Sequence, residues 1–210
     1  MVGANNLSPL TYLKPEEEIV KNRVRILWAV AGVLICLAVN AMADPIVPAR
    51  KQTSLGLYIT AQEAYEAWQK NPEQVKILDV RTVGEYVFVG HAPMAVNIPL
   101  LILEPKKEYY AKKPQLPLNA KFVEEAGKRY KKTDTLMVIC RSGGRSAVAA
   151  NILAKAGYKN AYTVIDGFEG DKLKVEGSYN EGKRLVNGWK NSGAPWTYDL
   201  DPALVYRPGA

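Results

Sequence analysis

Leu136-Met137-Val138-Ile139-Cys140-Arg141-Ser142-Gly143-Gly144-Arg145-Ser146 is the stretch on which the reading of this chain turns. Its four leading apolar residues, bounded by turn residues, predict a strand covered on both faces. The residues that follow, Ala147 to Ala156, are spaced as a helix: Val148 and Ile152 share one line, Ala149, Leu153 and Ala156 another. Gly157 supplies the C-terminal stop. Cys140 therefore stands where a buried strand hands over to a helix, on a loop with two glycines and two arginines. Main-chain N–H groups at a helix N-terminus favour an anion, and neighbouring cations lower a thiol pKa further. Glycines at 143 and 144 let the backbone curl without Cβ clashes. This loop is the candidate active site.

Outward from the loop, Val75 to Val80 reads as a strand that finishes on acidic Asp79, and Ala161 to Ile165 as another ending at Asp166-Gly167. Thr60-Ala61-Gln62-Glu63 is a capping box that starts a helix through about Gln69, ended by Asn71-Pro72. Residues 81–118 read as short irregular pieces, with a brief strand at Ala95–Ile98 and a Pro/Lys/Tyr-rich loop from Glu104 to Pro117. Asn119 is expected to cap a helix from Ala120 to about Tyr130, with Phe122, Val123 and Ala126 as its apolar face. Polar, Gly-rich residues 170–183 predict a surface loop, and Lys183–Lys190 a short helix broken at Ser192-Gly193-Ala194-Pro195. The tail beyond Trp196 has little pattern. Short apolar strands alternating with amphipathic helices imply β-α-β crossovers and a parallel sheet. Ligands bind such sheets outside the carboxyl ends of the strands. Cys140, Asp79 and Asp166 all fall there.

Upstream, Ile26 to Val39 is unbroken apolar or small, with Lys21, Arg23 and Arg25 before it and Ala41-Met42-Ala43 after it. Basic flank, short apolar core and an A-x-A site together predict a signal peptide over 1–43, cleaved after Ala43. The run is shorter than the roughly 20 residues of a membrane span. Glu16-Glu17-Glu18 is acidic for a signal n-region, and the alternative is an uncleaved N-terminal anchor. In both cases the domain is expected outside the cytoplasm, periplasmic or secreted. Membrane contact is expected only if the segment stays. Residues 44–56 read as an extended lead-in with two prolines.

The whole chain of 210 residues carries a net charge of +7. Residues 1–43 hold four Lys/Arg and three Asp/Glu, so the remainder, one ordinary domain in size, carries +6. Its lysine pairs at 106–107, 112–113 and 131–132 read as solvated surface, and no basic stripe interleaved with aromatics suggests nucleic acid. Of the two cysteines, Cys36 lies in the leader, which leaves Cys140 alone. A solitary cysteine in an exported protein is a buried filler or a reactive thiol, and fillers rarely sit beside Arg-Ser-Gly-Gly-Arg. His91, the only histidine, has no second ligand near it in sequence and reads as a hydrogen-bonded loop anchor. Asp79 with Arg81 reads as a structural ion pair, and Trp189 and Trp196 as core cover.

Leu78-Asp79-Val80-Arg81, Glu85-Tyr86, Gly90-His91 and Asn97-Ile98-Pro99, followed by the Cys140 loop, Gly157-Tyr158, Gly167-Phe168 and Gly188-Trp189, together resemble a single-domain rhodanese. The resemblance covers about 57–197, with 198–210 left as a C-terminal tail. It implies a three-layer α/β fold with a five-stranded, mainly parallel sheet flanked by helices. It also implies sulfurtransferase activity, with Cys140 carrying sulfane sulfur as a persulfide and no metal or organic cofactor. Arg141, Ser142, Gly143, Gly144 and Arg145 would form the cradle, with a small anionic sulfur donor and a thiol or protein acceptor as partners. A non-catalytic rhodanese-like binding module, or a sulfur carrier for a periplasmic partner, is the alternative. The chain departs from the family pattern in an extra residue before Gly90, in Met94 where glycine is usual, and in a long insertion between Gly167 and Trp189, a candidate wall or lid. Arg145 makes the loop Cys-x4-Arg, one residue short of the Cys-x5-Arg of cysteine phosphatases. Ser142 and Ser146 lie in no Gly-x-Ser-x-Gly elbow. Arg141 is expected to steer the donor, and Arg145 to face a neighbouring carboxylate, Asp79 being the first candidate.

Overall fold

Residues 47–102 and 116–207 are described by the structure, a computed structural model. The apolar leader with Cys36, and most of the Glu104–Pro117 loop, lie outside those residues. Five strands form one sheet: β1 (Tyr58–Ile59), β2 (Val75–Asp79), β3 (Val96–Asn97), β4 (Thr135–Ile139) and β5 (Ala161–Val164). Their order is β1-β5-β4-β2-β3 and every pairing is parallel. Among the described residues, four α-helices intervene: α1 (Ala61–Lys70), α2 (Val83–Val89), α3 (Phe122–Arg129) and α4 (Gly144–Lys155).

The period-two pleat sorts the apolar residues of the strands into two cores. Leu136 and Val138 of β4, with Leu78 of β2, pack under Phe122 and Ala126 of α3 and Ala149, Ala150 and Leu153 of α4. Met137 and Ile139, with Ile77 and Val164, pack on the opposite face under Ala61 and Ala64 of α1 and Tyr86 of α2, joined by Phe168 and Trp189. The result is helix, sheet, helix in three layers. Each large side chain fully withdrawn from water stabilises by roughly 1.5–3 kcal/mol. β4 lies at the centre of the sheet, and Asp79 is paired in register with Ile139. The residues following β2 and β4 therefore leave the sheet side by side.

The Thr60–Glu63 box caps α1 as expected, with the Thr60 hydroxyl accepting from the Glu63 amide and the Glu63 carboxylate accepting from that of Thr60. A second box, Thr82 with Glu85, starts α2 where irregular chain was expected. α3 begins at Phe122, later than expected, because Asn119 builds a turn instead of a cap. Its Oδ1 accepts from the Lys121 amide and its Nδ2 donates to the Pro99 carbonyl. Lys183–Lys190 is not a helix. Leu173 and Gly182–Lys183 close a narrow loop by main-chain bonds, and the Asp171 amide donates to Asn187 Oδ1, which draws this stretch across Gly170. Only a 3-10 turn, Trp189–Asn191, follows.

The tail carries structure its sequence did not announce. Thr197 exchanges two main-chain bonds with His91, the Asn97 amide donates to the Leu204 carbonyl, and Arg129 donates to that of Ala203. These contacts cover the outer edge of β3, a row of unpaired groups that would otherwise template association. The ring of His91 stacks on Tyr86 at 3.8 Å, and its Nδ1 is 3.1 Å from the Tyr86 carbonyl. A carbonyl only accepts, so this nitrogen carries the proton. His91 is a loop anchor, as its sequence context suggested. Trp189 is buried and Trp196 partly exposed.

Candidate active site

The Cys140 loop owes its shape to two glycines, of which only one belongs to the expected pair. Gly143 caps α4 in the left-handed region, at φ +94. A Cβ there would stand 2.2 Å from the Ile165 carbonyl oxygen at the end of β5. Gly144 is already helical, with nothing within 4 Å of where its Cβ would be. The second essential glycine is Gly167, at φ +69, where a Cβ would fall 2.6 Å from the Cys140 oxygen and from the Ser142 nitrogen. Two main-chain bonds complete this crossing, Phe168 N–H to Cys140 O at 2.7 Å and Glu169 N–H to Arg141 O at 3.0 Å.

Within this frame the Gly143 amide donates to Cys140 Sγ at 3.2 Å. The thiol in turn donates to Ser146 Oγ at 3.6 Å, and Ser146 Oγ donates to the Gly143 carbonyl at 2.9 Å. The sulfur thus has one main-chain donor at close range, where the sequence suggested a wider ring of them. The first-turn amides of α4 have no intrahelical acceptor and contribute the positive end of the helix dipole. Cys140 is only 1% exposed and joins the α3/α4 core.

The two arginines of the loop part company. Arg141 is exposed, and Ser142 and Gly144 are half-buried. Arg145 turns to α2 and grips Glu85 with both nitrogens, at 2.7 and 2.6 Å. Asp79, the expected partner of Arg145, is instead occupied by Arg81. That pair is closed from Nε and from a second nitrogen at 2.5 Å, with both side chains buried. Arg81 also donates to the Gly90 carbonyl and lies 4.0 Å over the Phe168 ring, so the pair is structural. Burial works against the Glu85 carboxylate, but Arg145 and the Thr82 cap outweigh it and hold its pKa at about 2. Burial likewise works against the Arg145 cation, and Glu85 first, then Cys140 and Asp79, push its pKa up. Arg145 therefore stays charged beside the sulfur.

Asp166 is a tie and not a wall of the site. Its two oxygens accept from the Ala61 and Gly188 amides at 2.8 and 2.9 Å. Burial raises its pKa in spite of those bonds. A cavity of about 160 Å³ lined by Asn97, Glu125, Arg129, Val205 and Tyr206 lies beneath the tail, and no loop residue borders it. Glu85, Ser146 and Gly167 shape the loop and were not among the sequence candidates. Glu85 carried a signal, since Thr82-Val83-Gly84-Glu85 repeats the spacing of the Thr60 box. The arrangement can hold a nucleophilic sulfur beside a fixed positive charge, with a second guanidinium at the surface to meet an anion.

The family model described as a rhodanese-like domain matches residues 60–174. An uncharacterized protein of Rickettsia prowazekii is 36% identical over 124 residues, 58% of this chain and 82% of the relative. A putative sulfur carrier protein of Bacillus subtilis is 30% identical over 114 residues, 54% of this chain and 50% of that protein. Thiosulfate sulfurtransferase 16 of Arabidopsis thaliana is 30% identical over 93 residues, 44% of this chain and 70% of the plant protein. Among solved structures, a crystal structure from M. tuberculosis is similar with a TM-score of 0.53 at 30% identity. The likeness covers 67% of this chain and 96% of that one.

Proposed function

The chain belongs to the rhodanese-like domain family, and from that premise we propose that it is a sulfurtransferase carrying sulfane sulfur on Cys140. The observation that carries the reading is the Gly143 amide, 3.2 Å from Cys140 Sγ at the N-terminus of α4. Similarity to a thiosulfate sulfurtransferase supports it. The Cys140 thiolate attacks the outer sulfur of a donor such as thiosulfate. The new S–S bond forms as the donor's S–S bond breaks, and sulfite leaves with the electron pair. A nucleophilic acceptor, a thiol or cyanide, then takes the terminal sulfur and the thiolate returns. Two half-reactions through one covalent intermediate give ping-pong kinetics. Ser146 can turn its hydroxyl from the Gly143 carbonyl to the ionised sulfur. Arg141 meets the anionic donor at the surface, and the loop amides of residues 142 to 145 receive the added sulfur.

Substitution Cys140→Ser is expected to abolish sulfur transfer from thiosulfate to cyanide, and intact mass spectrometry of the wild type to show a gain of one sulfur on incubation with the donor. Transfer retained in the variant would sink the reading. The near-complete burial of Cys140 favours a second one, a rhodanese-like module that binds a partner or ferries sulfur without rapid turnover. A wild type that never gains the mass of sulfur favours the binding module, and one that gains it but turns over poorly with cyanide favours the carrier. The proposed setting is periplasmic or extracellular, on the strength of the Ile26–Val39 run and Ala41-Met42-Ala43. The same spectrum reads this, as a chain beginning at Asp44.

A further inference from the structure

Lys51 stands in the lead-in, ahead of the family match at 60–174, and its side chain is 7% exposed. Lysine is almost never buried so deeply without a partner. Here Nζ donates to the Ile165 carbonyl at 2.7 Å and approaches Asp171 Oδ1 at 3.7 Å. That same carbonyl oxygen is the one on which Gly143 closes, and Lys51 Cδ is 3.0 Å from the position a Gly143 Cβ would take. Gly143 is therefore enclosed between a carbonyl and the apolar stem of the lysine that holds the carbonyl. The lead-in is itself seated on α4, where the Ser54 amide and hydroxyl reach Asn151 Oδ1 at 2.7 and 3.0 Å.

We propose that Lys51 is a positioning residue for the sulfur-bearing loop: by holding the Ile165 carbonyl it sets Gly143, whose amide is the main-chain donor to Cys140. The inference rests on the reading that Cys140 is the reacting group. It assigns to a segment outside the family match the completion of the site inside it. Among the described residues, the charged groups near the Cys140 loop other than Lys51 and the Asp171 it faces are these. Asp79 with Arg81, and Glu85 with Arg145, are closed pairs. Asp166 is held by two amides and Arg141 faces solvent. Lys51 bonds to none of these side chains, but its cation also acts on Asp166 and lies 3.7 Å from Asp171 Oδ1, so a change in the thiol's behaviour is expected from Gly143 together with the lost cation.

The test is the rate of iodoacetamide alkylation at Cys140 as a function of pH, followed on the Cys140 peptide in the full chain. Lys51→Met keeps the stem and removes the donor. It is expected to slow alkylation at neutral pH by about 5–10-fold, the loss of one hydrogen bond's worth of order, and to move the profile to higher pH. Lys51→Arg, which keeps a donor and a charge, should restore the profile. Ser54→Ala loosens the same segment on α4 without touching Gly143 and should leave the profile in place. A Lys51→Met profile that superimposes on the wild type overturns the proposal. So does a Ser54→Ala profile that moves as far as that of Lys51→Met, since Lys51 would then serve only the fold. If Lys51→Met does not fold, Lys51→Leu, which likewise lacks a donor, carries the same expectation and the same overturning result. Alkylation needs no sulfur donor, so its outcome is separate from the presence or absence of sulfur transfer.

Discussion

Gly143 and Gly144 are adjacent and chemically identical, yet they answer to different constraints. A methyl group on Gly143 would meet the Ile165 carbonyl at 2.2 Å in a backbone already at φ +94. One on Gly144 would meet open space in the first turn of a helix. Gly143→Ala is expected to lose on the order of 3 kcal/mol or to yield no soluble protein. Gly144→Ala is expected to be neutral or to gain about 0.5–1 kcal/mol, through helix propensity and a less flexible unfolded chain. Thermal denaturation of the two variants checks both, and equal losses would contradict this account. The sequence marks the loop as special through its glycine pair, because a turn into a helix needs such residues. It cannot say which of the two is indispensable, because that depends on the end of β5, which lies across the fold.

The helix α2 shows the same division one scale up. Elements with long periodic patterns were legible: α1 with its capping box, and β2, β4 and β5 as apolar runs between turns. Those that tertiary contacts decide were not. α2 has seven residues, apolar on most sides, too few to establish a period. β1 has two residues, and the 183–190 stretch is governed by its crossing with Gly170. The partner of Arg145 lies 60 residues away and leaves no local trace. That pairing has a pH signature. Glu85 titrates at about 2 in the fold against an ordinary 4.5, so the fold binds fewer protons than the unfolded chain between those values. The stabilisation is fully present above about pH 4.5 and is lost as pH falls toward 2. Glu85→Gln, which retains an acceptor for the Thr82 cap, is expected to lower stability at pH 7 by about 1–3 kcal/mol and to flatten this acid limb. Urea midpoints between pH 7 and 2.5 would show it, and parallel curves for both proteins would count against the pair.

At the scale of the whole molecule, the segments on either side of the sheet-and-helix repeat do more than their patternless sequence suggests. The lead-in packs Lys51 against Gly143 of the Cys140 loop and the tail covers β3. Deleting residues 197–207 removes the bonds to His91, Asn97 and Arg129 and bares a strand edge. The expected outcome is a melting temperature lower by several degrees, each kcal/mol being worth roughly 2–4 °C at this size, with concentration-dependent association seen by light scattering. An unchanged melting temperature would show that the tail is not part of the cooperative unit. The crossing at Gly167 has a consequence of another kind. Strand β5 hands the chain directly to the residues that clasp Cys140 and Arg141, and those residues then run out into the 170–187 excursion. The excursion thus starts from residues bonded to the residue proposed as the nucleophile. The 170–187 excursion and the Cys140 loop share two main-chain bonds as their common root.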